Sequence, residues 1–255
     1  MSNSILVMGE SGTGKSRSIK NLDSRETFII SVVDKDLPFK GARKLYKESC
    51  LDSEGVKIQG NRYSSDNYSS IIKVMKVVSE KMPKIKNIVI DDFQYIMFNE
   101  FMCKANEQGF AKFTVIQQHA FDVLSLSSRL RADLNCFILS HTQVSAEGLS
   151  RFKTLGKMLD EKITVEGLFT IVLHSIVDNN QYRFLTQNTG SHLAKSPEGM
   201  FNDKLIENDL QFVINKMEEY YNEDIESDLD LLRGAGEEVE EVKQIKQIKK
   251  VEEVI

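Results

Sequence analysis

One run of eight residues, Gly9-Glu10-Ser11-Gly12-Thr13-Gly14-Lys15-Ser16, limits what this chain can fold into more than any other stretch. It follows a short apolar segment at residues 5–8 and precedes a brief helical pattern marked by Ile19 and Leu22. The spacing is GxxxxGK[ST], which is that of a phosphate-binding loop. Glycines at 9, 12 and 14 let the backbone turn tightly and bring N–H groups onto phosphate oxygens. A helix after the loop would direct its partial positive charge at the same anion. In this pattern Lys15 reaches the β- and γ-phosphates, and the Ser16 hydroxyl is a ligand for Mg²⁺. All eight residues are the expected nucleotide-binding set.

A second feature has the form such a loop requires. Ile88-Val89-Ile90 is an apolar strand pattern that ends in Asp91-Asp92. Asp91, the first acid after the strand, is expected to hold Mg²⁺ with Ser16, and Asp92 to polarise the attacking water. Glu10, Asp34, Asp36 and Glu100 are the other acids open to that second role. A third apolar run, Phe137-Ile138-Leu139, turns polar at Ser140-His141-Thr142-Gln143. A polar side chain there can touch a γ-phosphate and report its loss, with His141 the first candidate and Thr142 and Gln143 behind it.

Strand patterns at 5–8, 27–33, 87–91 and 136–139 alternate with helical spacing at 68–81, 93–106 and 112–133. That alternation implies an α/β fold, a mainly parallel sheet flanked by helices. All three motifs then fall at carboxyl ends of strands, where such sheets bind ligands. Residues 168–175 and 182–186 read as a late hairpin, and 204–221 as a final helix. The core is expected to span 1–215 and an acidic, helical or partly disordered tail 216–255. That tail carries thirteen acids and six bases, so the preceding residues hold +2 of an overall −5. In it Val239, Val242, Ile245, Ile248 and Val251 recur every three residues, which drifts too fast around a helix for a lasting coiled-coil seam.

Three scattered cysteines, Cys50, Cys103 and Cys136, include no CxxC pair, which argues for a reducing compartment and against structural zinc. No apolar run reaches the ~20 residues of a membrane helix. The expectation is a cytoplasmic protein without a membrane partner.

The order of loop, acid-ended strand, sensor strand and hairpin resembles the RecA-like branch of P-loop NTPases. More closely, the chain is similar to bacteriophage RecA-like AAA-type P-loop ATPases, which include the phage single-strand annealing ATPases. The likeness runs through residues 9–16, Thr27-Phe28-Ile29-Ile30, Leu37-Pro38-Phe39 and Ile90-Asp91-Asp92-Phe93-Gln94-Tyr95. It continues at Ser140-His141, Gly156-Lys157-Met158-Leu159-Asp160 and Ala194-Lys195-Ser196-Pro197-Glu198-Gly199-Met200-Phe201, covering roughly residues 4–215. The resemblance implies an ATP- and Mg²⁺-dependent hydrolase acting on single-stranded DNA in recombination or replication, in the host cytoplasm. It also implies a homo-oligomer with the nucleotide at a subunit boundary, where Lys153, Lys157 or Lys195 would act on the neighbour's phosphates.

Independent signs of a nucleic-acid partner are two basic clusters. One is Lys73, Lys76, Lys81, Lys84 and Lys86; the other is Lys35, Lys40, Arg43, Lys44 and Lys47. Against them, residues 144–167 hold four bases and four acids, which is no basic channel. Two other classes stay open. One is a nucleotide-dependent interaction switch or assembly factor that docks a protein partner through its tail. The other is a small-molecule kinase, disfavoured by the lack of an arginine-rich lid.

Overall fold

In the computed structural model of the chain the described residues are 2–49, 60–156 and 163–234, with 223–234 described by backbone alone. Cys50, Lys157 and the three-residue repeat of 239–251 lie outside them. The chain divides into two units, Met1–Val213 and Ile214–Ile255.

The first unit is built on a mixed, mostly parallel sheet. Its strands are β1 (Asn3–Gly9), β2 (Thr27–Ser31), β3 (Arg62–Ser64), β4 (Asn87–Asp91), β5 (Asn135–Val144), β6 (Ser150–Phe152), β7 (Ile171–Asp178), β8 (Gln181–Leu185) and β9 (Leu205–Glu207). The spatial order is β3-β2-β4-β5-β1-β7-β8-β9, with β6 paired to the far end of β5. The first six strands of that order run parallel, and β8 pairs antiparallel with both β7 and β9. From β1 the chain leaves to one side, and only at β7 does it return to the other. The carboxyl end of β1 is therefore a topological switch point, where open α/β sheets form their crevice.

The central strands are apolar on both faces because both faces are covered. Leu6, Met8, Phe28, Ile30, Ile88, Ile90 and Ile138 share one core cluster with residues of three helices, α2 (Tyr68–Lys81), α3 (Tyr95–Cys103) and α4 (Ala111–Ser127). A four-residue helix, α1 (Ala42–Leu45), precedes them in the chain. The alternate residues Ile5, Val7, Ile29, Val89, Phe137 and Leu139 are equally buried outside that cluster, as the period of two demands. α2 starts at Asn67, whose side chain caps the Ser70 N–H at 3.0 Å.

Register is locked at the amino ends by a polar ladder across four strands. Asn3, Asn135, Asn87 and Thr27 are paired in register. Asn3 Nδ2 donates to Asn135 Oδ1 at 2.9 Å, Asn135 Nδ2 to Asn87 Oδ1 at 3.1 Å, and Asn87 Nδ2 to Thr27 Oγ1 at 3.5 Å. A slip of one residue would break every rung and turn each strand's faces over.

Several elements differ from the sequence expectation. The helix after the glycine loop is a six-residue 3-10 turn (Ser16–Asn21), ended where Leu22 becomes extended and donates to Ile19 O. A turn of that length offers less macrodipole than the expected helix. β5 runs on through His141 to Val144, because β6 supplies antiparallel partners for residues 142–144. The hairpin is present, closed by Asn179 and Asn180 at φ 48° and 59°, which suits the twist of the paired strands. The final helix, α5 (Leu210–Gly234), starts later than expected, since residues 205–207 pair with β8 as β9.

Candidate functional site

The glycine loop leaves β1 at Gly9, whose strand neighbours are His141 on β5 and Ser175 on β7. The loop is tied from below. Ser175 Oγ donates to Thr13 O at 2.6 Å, Asn208 Nδ2 donates to Ser175 Oγ at 3.1 Å, and Thr13 Oγ1 donates to Glu10 O at 2.8 Å. Gly14 has φ +100°, and a Cβ there would come within 2.7 Å of Tyr182 and 2.9 Å of Asn208, so only glycine fits. Lys15 is buried, and its ammonium donates to Gly9 O at 2.8 Å and Glu10 O at 2.7 Å. Burial pulls its pKa down to about 8, against the opposing pull of Asp92 and Asp91.

Two strands away across the sheet, β4 delivers the acids. Asp91 Oδ1 accepts from Ser16 Oγ at 2.8 Å, which joins the end of β4 to the end of the loop. Burial, and then the charge of Asp92, push the Asp91 carboxyl up to about 6. Asp92 has the left-handed φ of 64°, uncommon for a non-glycine residue. The turn is held by Phe93 N–H on Leu139 O at 2.9 Å and by buried Gln94, whose Oε1 accepts from His141 N–H at 3.1 Å. The carboxylate of Asp92 forms an ion pair with Lys35 and lies 3.5 Å from His141 Nε2. Burial works to raise its pKa, but the His141 and Lys35 contacts outweigh it and hold the group below the usual carboxylate range.

β5 lies between β1 and β4, so His141 stands between the glycine loop and the acids. The result is a cleft of about 240 Å³ lined by Ser11, Gly12, Gly14, Lys15, Ser16, Arg17, Lys35, Pro38, Asp92, His141 and Tyr182. A second cleft of about 490 Å³ shares Arg17 and Tyr182 and extends along Asn21, Asn180 and Asn208. The Arg17 guanidinium sits 4.9 Å from the centre of the Tyr182 ring.

Three chain segments singled out in the sequence are thus brought together: the loop, Asp91-Asp92 and His141. Of the other acids open to the water-activating role, none lines the cleft. Glu10 is exposed on the loop. Asp34 and Asp36 pair with Arg62 and Arg43, and Glu100 pairs with Lys104 at 2.7 Å and His119 at 3.0 Å. Thr142 and Gln143 are taken up in pairing with β6. Lys195 is exposed and bridges to Val172, away from this cleft, while Lys153 sits with its ammonium 5.2 Å from the Phe98 ring. Lys35, Gln94, Tyr182 and Asn208 were not singled out for this site; only Gln94, three residues after Asp91, lay near a recognisable motif.

The donor set suits a hard cation. Ser16 and Asp91 offer adjacent oxygens, as Mg²⁺ requires. Among the described residues no group of three or more His, Cys, Asp or Glu converges, so such an ion would complete its shell with phosphate and water. No protein-family model matches the chain, and no curated protein matches it. Among the described residues no helix is long and apolar enough to cross a membrane.

Proposed function

We propose that this chain is a P-loop ATPase of the RecA-like kind, hydrolysing Mg²⁺-bound ATP and acting on single-stranded DNA in recombination or replication. The observation that carries the reading is the convergence of the glycine loop, Asp92 and His141 from three neighbouring parallel strands on one cleft, with Asp91 bonded to the loop through Ser16.

The chemistry follows from the residues. Loop N–H groups and Lys15, exchanging its two carbonyl acceptors for phosphate oxygens, would hold the β- and γ-phosphates. Ser16 and Asp91 would hold Mg²⁺, which when bound neutralises charge on the phosphates. Asp92 would orient the attacking water, and His141, touching both Asp92 and the cleft, would register the terminal phosphate. The second cleft offers the nucleoside a place beside Tyr182 and Arg17. The resemblance supplies adenine as the base.

Support for a nucleic-acid partner comes from a groove of about 530 Å³ that joins the two basic clusters the sequence keeps apart. Lys47, from one, and Lys81 and Lys84, from the other, line it with Arg25 over Leu45, Met82 and Pro83. A homo-oligomer, with Lys157 or Lys195 reaching a neighbour's cleft, belongs to the same proposal. A second reading, a nucleotide-dependent protein-interaction switch, is favoured by exposed Met102 and by exposed Phe110, which stacks on Phe113 and through it on Phe101.

ATP hydrolysis with and without single-stranded DNA, with Lys15→Ala as the blank, separates the two. Turnover that rises with DNA and vanishes in Lys15→Ala supports the recombination ATPase. Slow, DNA-indifferent turnover that still needs Lys15 supports the switch. Turnover unchanged in Lys15→Ala refutes both.

A further inference from the structure

Two lysines face the carboxylates of the cleft, and they are held differently. Lys15 is turned onto two backbone carbonyls, whereas Lys35 pairs directly with Asp92. The Asp92 side chain is 3% exposed, while Lys35 keeps 48% of its side chain in solvent. The acid is fixed by its left-handed turn, by Phe93 N–H on Leu139 O and by Gln94 on His141 N–H. The lysine is tethered on a loop, residues 32–41, which among the described residues also pairs Asp36 with Arg43 and Asp34 with Arg62, each with an exposed acid. Pro38 of the same loop lines the cleft. In such a pair the tethered, half-exposed cation can leave its rigid, buried partner for another anion without moving the buried acid.

We infer that Lys35, alongside His141, is a residue by which this site tells a nucleoside triphosphate from a diphosphate. The inference rests on the nucleotide reading of the cleft. A terminal phosphate draws the Lys35 ammonium from Asp92, and the exchange conserves charge because the lysine passes from one anion to another. Asp92 keeps His141 Nε2 at 3.5 Å and regains an oxygen that can accept a hydrogen bond from water. With a diphosphate no γ-phosphate competes, so Lys35 stays on Asp92 and blocks that oxygen. Lys35 is thus a contact for the terminal phosphate and a positioning residue for Asp92. Its displacement carries the state of the site along residues 32–41 to Arg43 and Arg62.

The test is equilibrium binding of ADP and of an ATP analogue with a β,γ-imido bridge, both with Mg²⁺, to wild type, Lys35→Ala and Lys35→Arg. Loss of a charge-assisted contact in Lys35→Ala weakens the analogue about tenfold or more and ADP by less than about twofold, and Lys35→Arg recovers most of the loss. Hydrogen exchange of residues 32–41 in the wild type changes with the analogue and not with ADP, a readout that stands even if Lys35→Ala fails to fold. Equal weakening of both nucleotides, weakening of neither, or the same exchange response to both overturns the inference and leaves the nucleotide reading intact. A wild type that binds neither nucleotide overturns the two together.

Discussion

Adding one methyl group at Gly9 tests how the glycine loop is joined to the sheet. Gly9 ends β1 between His141 and Ser175, and an alanine Cβ there would lie 2.6 Å from Ser175 O, 2.7 Å from Thr13 Oγ1 and 3.1 Å from Ser175 Cβ. The nearest atom is a backbone carbonyl in a buried strand, and the Ser175 side chain is itself bonded to Thr13 O at 2.6 Å. Neither can swing aside. Gly9 does not have positive φ, so the cost is overpacking alone, at the upper end of about 1–3 kcal/mol. Gly12→Ala is the matched control. Gly12 has φ +81° with nothing within 4 Å of the added atom, so only backbone strain of about 1–2 kcal/mol applies. Urea unfolding of wild type and both variants, compared at a common slope, should place Gly9→Ala below Gly12→Ala. A neutral Gly9→Ala, or the reverse order, would refute the argument that β7 fixes the floor of the loop.

Two further outcomes follow from buried titratable groups. Burial, and then neighbouring His192, lower the His174 pKa to about 4 from its ordinary 6.5. The unfolded chain therefore binds the proton first. The stabilisation is fully present above pH 6.5 and is lost as pH falls to 4, on the order of 3 kcal/mol. Urea midpoints measured across that window should fall in wild type and fall much less in His174→Gln; equal slopes would contradict the assignment. Burial also pushes the Cys136 thiol up to about 12, while Cys103 is exposed. Site-resolved alkylation of the native protein at pH 7.5 should label Cys103 and spare Cys136 until denaturant is added, whereas early labelling of Cys136 would show that β5 opens readily.

What could be read from the sequence was local. Residues 9–16 and Asp91-Asp92 carry their chemistry in consecutive positions, and an apolar strand ending in polar residues is visible without neighbours. Residues 68–81 were equally legible, because Ile71, Ile72, Met75 and Val78 recur at helical spacing, although the Asn67 cap showed only in the structure. The short strands β3, β6 and β9 were not, since three residues show no period and are strands only through their partners. Ile206 fits a helical spacing with Leu210 and Val213, and it is the edge of β8 that makes it a strand residue. The asparagine ladder joins positions far apart in the chain and needs the register to exist. Lys35 was visible only as one of five bases in a cluster, because its meaning comes from Asp92, delivered by a different strand.

Calorimetric titration of ATP with Mg²⁺ into the wild type and Lys15→Ala decides whether the glycine loop holds a nucleotide. The expected result is one saturable site per chain in the wild type and a loss of about tenfold or more in affinity for Lys15→Ala, which keeps its fold but lacks the charge-assisted phosphate contact. No binding by the folded wild type, or equal binding by both proteins, would contradict it.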